Sequence, residues 1–144
     1  MSLLESVQER LHQHRDRSFL KAAMAASALA AYADGTVSLT ERYSIDDMLE
    51  NLERLKLHDH EKATQILNDY IHALQDDPES AQVVLIGKLK RIADDREAAN
   101  LIVQIALAVS YADGHYNYAE KLQFAEICET LGLDPKEASL TEHF

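Results

Sequence analysis

Residues that form turns or cross-links are scarce in this chain of 144 residues. It has only four glycines and two prolines, whereas alanine, leucine, glutamate, lysine and glutamine are abundant. Many short strands would need more turn residues, so the composition favours helix throughout. The single cysteine, Cys128, excludes an internal disulfide, and no charged and then apolar leader opens the sequence. We therefore expect an all-α protein of the cytoplasm.

Long apolar runs and positive charge are also lacking. The longest weakly polar stretches are Ala22 to Ala33 and Ala98 to Tyr111, both shorter than the roughly 20 residues that cross a membrane. The chain carries 14 Lys and Arg against 25 Asp and Glu, a formal charge of −11, and no basic stripe interleaved with aromatics. We expect no direct membrane insertion and no nucleic-acid partner. A negative field instead favours cations and basic protein surfaces.

The spacing of apolar residues predicts a single-domain bundle of about seven helices over residues 1–144. A short amphipathic helix is expected near the N-terminus, and Phe19 to Ala33 is rich enough in alanine to be a central helix. Asp77 before Pro78, and Asp94 three residues before Glu97, are typical helix starts. Together with the apolar spacing, these starts predict later helices over about 45–55, 63–74, 78–93, 94–109 and 117–131.

An internal repeat is the most informative feature of the sequence. The string Tyr-Ala-Asp-Gly occurs at 32–35 and again at 111–114, each time between two predicted helices. The same offset of 79 positions aligns Glu41 with Glu120 and Ile45 with Phe124, which preserves both charge and helical phase. We interpret this as a duplication of a unit made of a helix, an Asp-Gly loop and a helix, with halves at about 18–57 and 97–136.

Both loops carry an aspartate and, seven positions later, a glutamate, in the strings DGTVSLTE and DGHYNYAE. These strings resemble the second half of an EF-hand calcium loop, in which glycine allows a sharp turn and the closing glutamate supplies oxygens. The predicted metal ligands are Asp34, Glu41, Asp113 and Glu120. Because Ca²⁺ takes six to eight oxygens, the two loops are candidates for one shared site.

A second interpretation of the same residues needs no ion. Ser38 with Glu41, and Asn117 with Glu120, have the spacing of a capping box, in which side chains accept from free helical N–H groups. The Asp-Gly pairs also suit helix ends, since glycine adopts the left-handed conformation that often follows a helix. Both interpretations remain open at this point.

The strings AAYADGTVSLTER and VSYADGHYNYAEK, with the apolar helix before the second string, resemble the tellurite-resistance TerB family. The resemblance covers most of the chain from about Phe19 onward. It implies an all-α domain of about seven helices and a divalent-ion site at the acidic loops, used in metal-stress or membrane-associated complexes. The matching positions in this sequence are Asp34, Glu41, Asp113 and Glu120.

Few residues are arranged in patterns that indicate another metal site or a catalytic site. His58 and His60 are two residues apart and would point to different sides of a helix, and Cys128 aligns with the apolar Leu49. No nucleophile with its base and no phosphate-binding glycine loop is present, so we expect no enzyme. The leading hypothesis is a stress-response module that binds calcium, magnesium or manganese and a protein partner, such as a membrane-associated complex. The alternative is a protein-interaction adaptor whose acidic loops only cap helices.

Overall fold

Helices form all the regular secondary structure of the described residues. The structure, a computed structural model, describes residues 18–33, 35, 37, 39, 42–43, 45–47, 50, 60–110 and 117–136. Its helices are α1 (18–31), α2 (His60–Asp76), α3 (Pro78–Ile92), α4 (Arg96–Ser110) and α5 (Tyr118–Thr130). Residues 39, 42–43, 45–47 and 50 are also helical, and we call them the first-repeat helix. These six helical segments confirm the all-α prediction, and the expected N-terminal helix lies outside the described residues.

Helix starts agree with the sequence at one site and differ at another. Asp77 caps α3 as predicted, since its carboxylate accepts from the Ser80 N–H at 3.3 Å. The predicted start of α4 at Asp94 is wrong by one residue, because Asp95 accepts from the Ala98 N–H at 3.1 Å. An N-cap side chain bonds two or three residues ahead. Asp95 therefore suits a helix that begins at Arg96.

The core is centred on α1. Every residue from 22 to 31 is buried, so this helix is surrounded by protein on all sides. Seven of these ten residues are alanines, which allow neighbouring helices to approach closely, while Met24 and Leu29 fill the larger gaps. The buried hydroxyl of Ser27 donates to the Ala23 carbonyl at 2.8 Å and so keeps its hydrogen bond. The expected central helix is confirmed.

A second helix, α4, is also largely buried. Nine of its fifteen residues are buried, and α5 packs against it. Helix α3 in turn packs against both α2 and α5. Since α2 and α3 are separated only by Asp77, they form a tight pair of helices on one side of the core. The two buried helices are therefore the ones that precede the two Asp-Gly loops.

The sequence repeat is also a repeat of burial. In the helices that follow the two loops, five pairs of residues 79 positions apart share the same buried or exposed class, whereas half-buried Arg42 corresponds to exposed Lys121. The five pairs are Leu39 and Tyr118, Tyr43 and Leu122, Ile45 and Phe124, Asp47 and Glu126, and Glu50 and Glu129. The identities have diverged at four of these five pairs, yet each residue faces the same environment as its counterpart. This agreement supports the predicted duplication.

Arg96 connects the start of α4 to the end of α5. One guanidinium nitrogen donates to the carbonyls of Ala93, at 3.0 Å, and Leu131, at 2.7 Å, and the other donates to Gly132 at 3.0 Å. The last carbonyls of a helix lack intrahelical partners. Arg96 therefore supplies donors to the α5 terminus through a fork that lysine cannot reproduce.

We expect Arg96→Met to lower the free energy of unfolding by about 1–2 kcal/mol, because charged hydrogen bonds to the α5 end are lost. Arg96→Lys should recover only part of this loss. The matched control is Arg91→Met, an exposed site at the end of α3, with an expected change within about 0.5 kcal/mol. Urea unfolding followed by circular dichroism measures both, and equal losses would contradict the role given to Arg96.

Two glycines have opposite backbone requirements. Gly87 lies within α3, and a Cβ added there would meet no atom within 4 Å, whereas Gly35 has a φ of +92°. We expect Gly87→Ala to raise the free energy of unfolding by about 0.5–1 kcal/mol through helix propensity. Gly35→Ala should lower it by about 1–2 kcal/mol because of left-handed strain. Parallel urea titrations test the opposite signs, and a destabilising Gly87→Ala would refute the assignment of open space.

Candidate functional site

The first acidic loop begins where α1 ends. The Gly35 N–H donates to the Tyr32 carbonyl at 2.8 Å, and the Tyr32 N–H donates to Ala28 at 3.0 Å. With its positive φ, Gly35 ends the helix in the left-handed conformation that the sequence predicted. The neighbouring ligand candidates Asp34 and Glu41 lie outside the described residues, and so does Asp113 in the second loop. Their role as metal ligands stays a prediction.

The second loop leads into α5 through a side-chain cap. Asn117 has an extended backbone, and its Oδ1 accepts from the Glu120 N–H at 2.9 Å. This bond satisfies one of the free donors of the first helical turn, as a capping residue should. The Asn117 oxygen is therefore already used within the chain. The capping predicted for Asn117 is confirmed.

Glu120 is the predicted ligand that the structure describes, and it is buried. Only 3% of its surface is exposed, and among the described residues it is the one charged side chain in the buried class. Glutamate is rarely buried to this extent. A buried carboxylate is stable only when hydrogen bonds, an opposite charge or a metal ion offset its loss of hydration. Burial sets Glu120 apart from an ordinary surface glutamate in a first helical turn.

A pocket of about 320 Å³ lies beside both repeats. Tyr32 and Gly35 border it from the first loop, and Gln123 borders it from α5, one turn after Glu120. Gln82 of α3 also borders the pocket and links α3 to α5. Its Nε2 donates to Gln123 Oε1 at 3.4 Å and to Glu126 Oε2 at 3.0 Å. The first loop and the helix that follows the second loop thus meet at one pocket. No sequence pattern indicated Gln82, because it lies outside the repeat.

Cys128 and His72 are further candidates for metal binding or nucleophilic chemistry. Cys128 is fully buried, and burial, with smaller effects of Asp134 and Glu129, raises the pKa of its thiol to about 12. It remains a neutral thiol near pH 7, as expected for a buried apolar position. His72 is exposed. Within the described ranges, no group of three His, Cys, Asp or Glu residues is arranged to hold a metal.

A membrane span requires a long and strongly apolar helix. None of the helices in the described ranges is both long enough and apolar enough to cross a bilayer. This result agrees with the short apolar runs of the sequence.

The chain was compared with protein families, curated proteins and solved structures. Residues 20–143 match the family described as Tellurite resistance protein TerB. Neither the curated proteins nor the solved structures gave a significant match. The matched range contains both loops and every helix of the structure apart from the first two residues of α1. The chain belongs to the TerB tellurite-resistance family.

Proposed function

We propose that this protein is a non-enzymatic helical module of the tellurite-resistance type that binds a divalent cation through its duplicated acidic loops. The buried carboxylate of Glu120 carries the proposal. It lies in the first turn of α5, at the position where the loop sequence calls for an oxygen ligand. Ca²⁺, Mg²⁺ and Mn²⁺ are coordinated by carboxylate oxygens, and such a cation stabilises a carboxylate that has been removed from water.

The shared pocket supports one site rather than two. Gly35, which borders this pocket, directly follows Asp34 in the sequence. Gln123 also borders it and lies one helical turn from Glu120, on the same side of α5. Each loop offers only two carboxylates, whereas Ca²⁺ takes six to eight oxygens. A site that combines Asp34, Glu41, Asp113 and Glu120 with carbonyls and water meets that number.

Ion preference follows from the ligand chemistry. The proposed donors are oxygens, which suit Ca²⁺, Mg²⁺ and Mn²⁺, whereas Zn²⁺ favours sulfur and nitrogen. The one described thiol, Cys128, is buried and protonated near pH 7. We therefore propose calcium, magnesium or manganese as the bound ion. A protein partner, such as a membrane-associated stress complex in the cytoplasm, would bind the loops in their ion-bound form.

The second candidate function is an adaptor that binds no ion. It is favoured by the Asn117 cap on the Glu120 N–H and by the left-handed Gly35, both of which give the loop residues a purely structural role. In this case the acidic loops complete helix ends and present negative charge to a basic partner. The two functions differ in the response of the folded protein to cations.

We expect Ca²⁺ or Mn²⁺ to raise the melting temperature of the metal-free protein. An ion present at one hundred times its dissociation constant raises the free energy of unfolding by about 2.7 kcal/mol. For a protein of this size, that corresponds to a rise in melting temperature of roughly 5–10 °C. Glu120→Gln and Asp113→Asn each remove a carboxylate with little change of shape and should abolish the rise. Differential scanning calorimetry, after treatment with a chelator, measures it.

The matched controls are Glu79→Gln and Asp94→Asn, which remove the same charges from exposed positions outside the loops. Both should retain the full rise. If neither calcium, magnesium nor manganese moves the midpoint, or if the controls lose the response equally, the adaptor function replaces ion binding.

The cap itself is tested separately. We expect Asn117→Ala to lower the free energy of unfolding by about 1 kcal/mol without cations, because the Glu120 N–H loses its acceptor. Asn117→Asp keeps an acceptor at the N-cap and should stay within about 0.5 kcal/mol of the parent. Chemical denaturation in the presence of chelator gives both values. An unchanged free energy of unfolding in Asn117→Ala would show that the cap adds no stability.

A further inference from the structure

Four exposed side chains of α5 lie on one side of the helix. Tyr118, Leu122, Glu126 and Glu129 are spaced by four, four and three residues, which places them within a sector of about 80°. Tyr118 is 74% exposed and Leu122 is 54% exposed. We call this set the α5 stripe. It is apolar in the first half of the helix and acidic in the second.

The first-repeat helix carries the same arrangement. Leu39, Tyr43, Asp47 and Glu50 have identical spacing, are exposed, and correspond position by position to the α5 stripe at the 79-residue offset. We call them the first-repeat stripe. Leucine and tyrosine have exchanged places between the stripes, and aspartate has replaced glutamate once. In both stripes, two apolar residues are followed by two acidic ones.

Exposed apolar residues are concentrated in these stripes. Among the described residues the large hydrophobic side chains in the exposed class number six, and four belong to the two stripes. The other two are Val83 and Val84 of α3. Single exposed apolar residues are normal on protein surfaces. A matched pair in each repeat is a patterned surface, and such surfaces often mark sites of protein association.

Charge decides which partner suits the stripes. Each stripe ends in two carboxylates, and the α5 stripe reaches the C-terminal turn of its helix, where the backbone dipole adds further negative charge. The whole chain has a formal charge of −11. This excess disfavours a second copy of the same stripe and favours a basic partner. The apolar half supplies the contact that is buried on association.

We propose that each stripe docks a basic amphipathic helix of a partner protein. Apolar residues of the partner pack on Tyr118 and Leu122, or on Leu39 and Tyr43, and its Lys or Arg residues meet the carboxylates that follow. From Tyr118 to Glu129 the stripe is about 16 Å long, so about three turns of partner helix cover it. This inference specifies the partner in the proposed function, but it does not depend on cation binding.

The test uses an amidated Leu-Lys peptide of about 14 residues, with leucines at helical spacing, titrated into the full chain by isothermal calorimetry. We expect two peptides per chain. Leu122→Ser should reduce the number to one, as should Tyr43→Ser, and the double variant should bind at least about tenfold more weakly. The matched control is Val83→Ser with Val84→Ser, which removes exposed apolar side chains elsewhere and should change affinity by less than about twofold.

The acidic half is tested by Glu126→Gln with Glu129→Gln, for which we expect weaker binding and a shallower dependence on salt concentration. Glu79→Gln with Asp94→Asn removes two charges elsewhere and should have little effect. Circular dichroism of each variant verifies folding, and titrations in chelator and in calcium separate this proposal from ion binding.

Three results would overturn the proposal. One is no binding of the Leu-Lys peptide in either buffer. Another is equal binding of a peptide with the same composition rearranged to have no apolar face, since charge alone would then explain the interaction. The third is concentration-dependent self-association in sedimentation experiments that the stripe variants abolish, which would identify a second copy as the occupant.

Discussion

Close packing around an alanine-rich helix is the constraint on which the rest of this structure depends. Because α1 is buried on every side from residue 22 to 31, its neighbours must fit against backbone and methyl groups with little room for adjustment. Helix α4 has a similar position in the second repeat. Each loop therefore starts from the end of a helix that the core holds in place. Such rigid supports are what a binding site of defined geometry requires.

The first turn of α5 contains both a stabilising cap and the carboxylate proposed to bind an ion. Asn117 satisfies the Glu120 N–H, while the Glu120 side chain is buried. Capping explains why an amide or hydroxyl should stand at position 117, but it does not by itself require a buried carboxylate three residues later. A conventional capping-box glutamate reaches back to the N-cap N–H at the helix surface. The burial of Glu120 is therefore the observation on which the proposed ion binding rests.

The sequence predicted the helices well because their signals are local. Apolar periodicity located α2 to α5, and Asp77 before Pro78 set the start of α3. The choice between Asp94 and Asp95 failed because adjacent aspartates offer the same capping chemistry, and only the path of the turn selects one. Arg96 and Gln82 were missed for a different reason. Apart from Ala93, which accepts from Arg96, their partners are 35 to 44 positions away in the sequence, so no local pattern indicates these contacts.

The repeat relates the proposed ion site to the proposed docking stripes through a single helix. Tyr118 opens the α5 stripe two residues before Glu120, whereas Glu129 lies at its far end, beyond three turns of packed helix. A cation alters partner affinity only to the extent that it binds two states of the protein differently. The buried face of α5, formed by Phe124, Ile127 and Cys128, packs the later turns against the core. If an ion binds at Glu120, it would therefore act most directly on the first turn, and so on the apolar contact at Tyr118 rather than on the distant carboxylates.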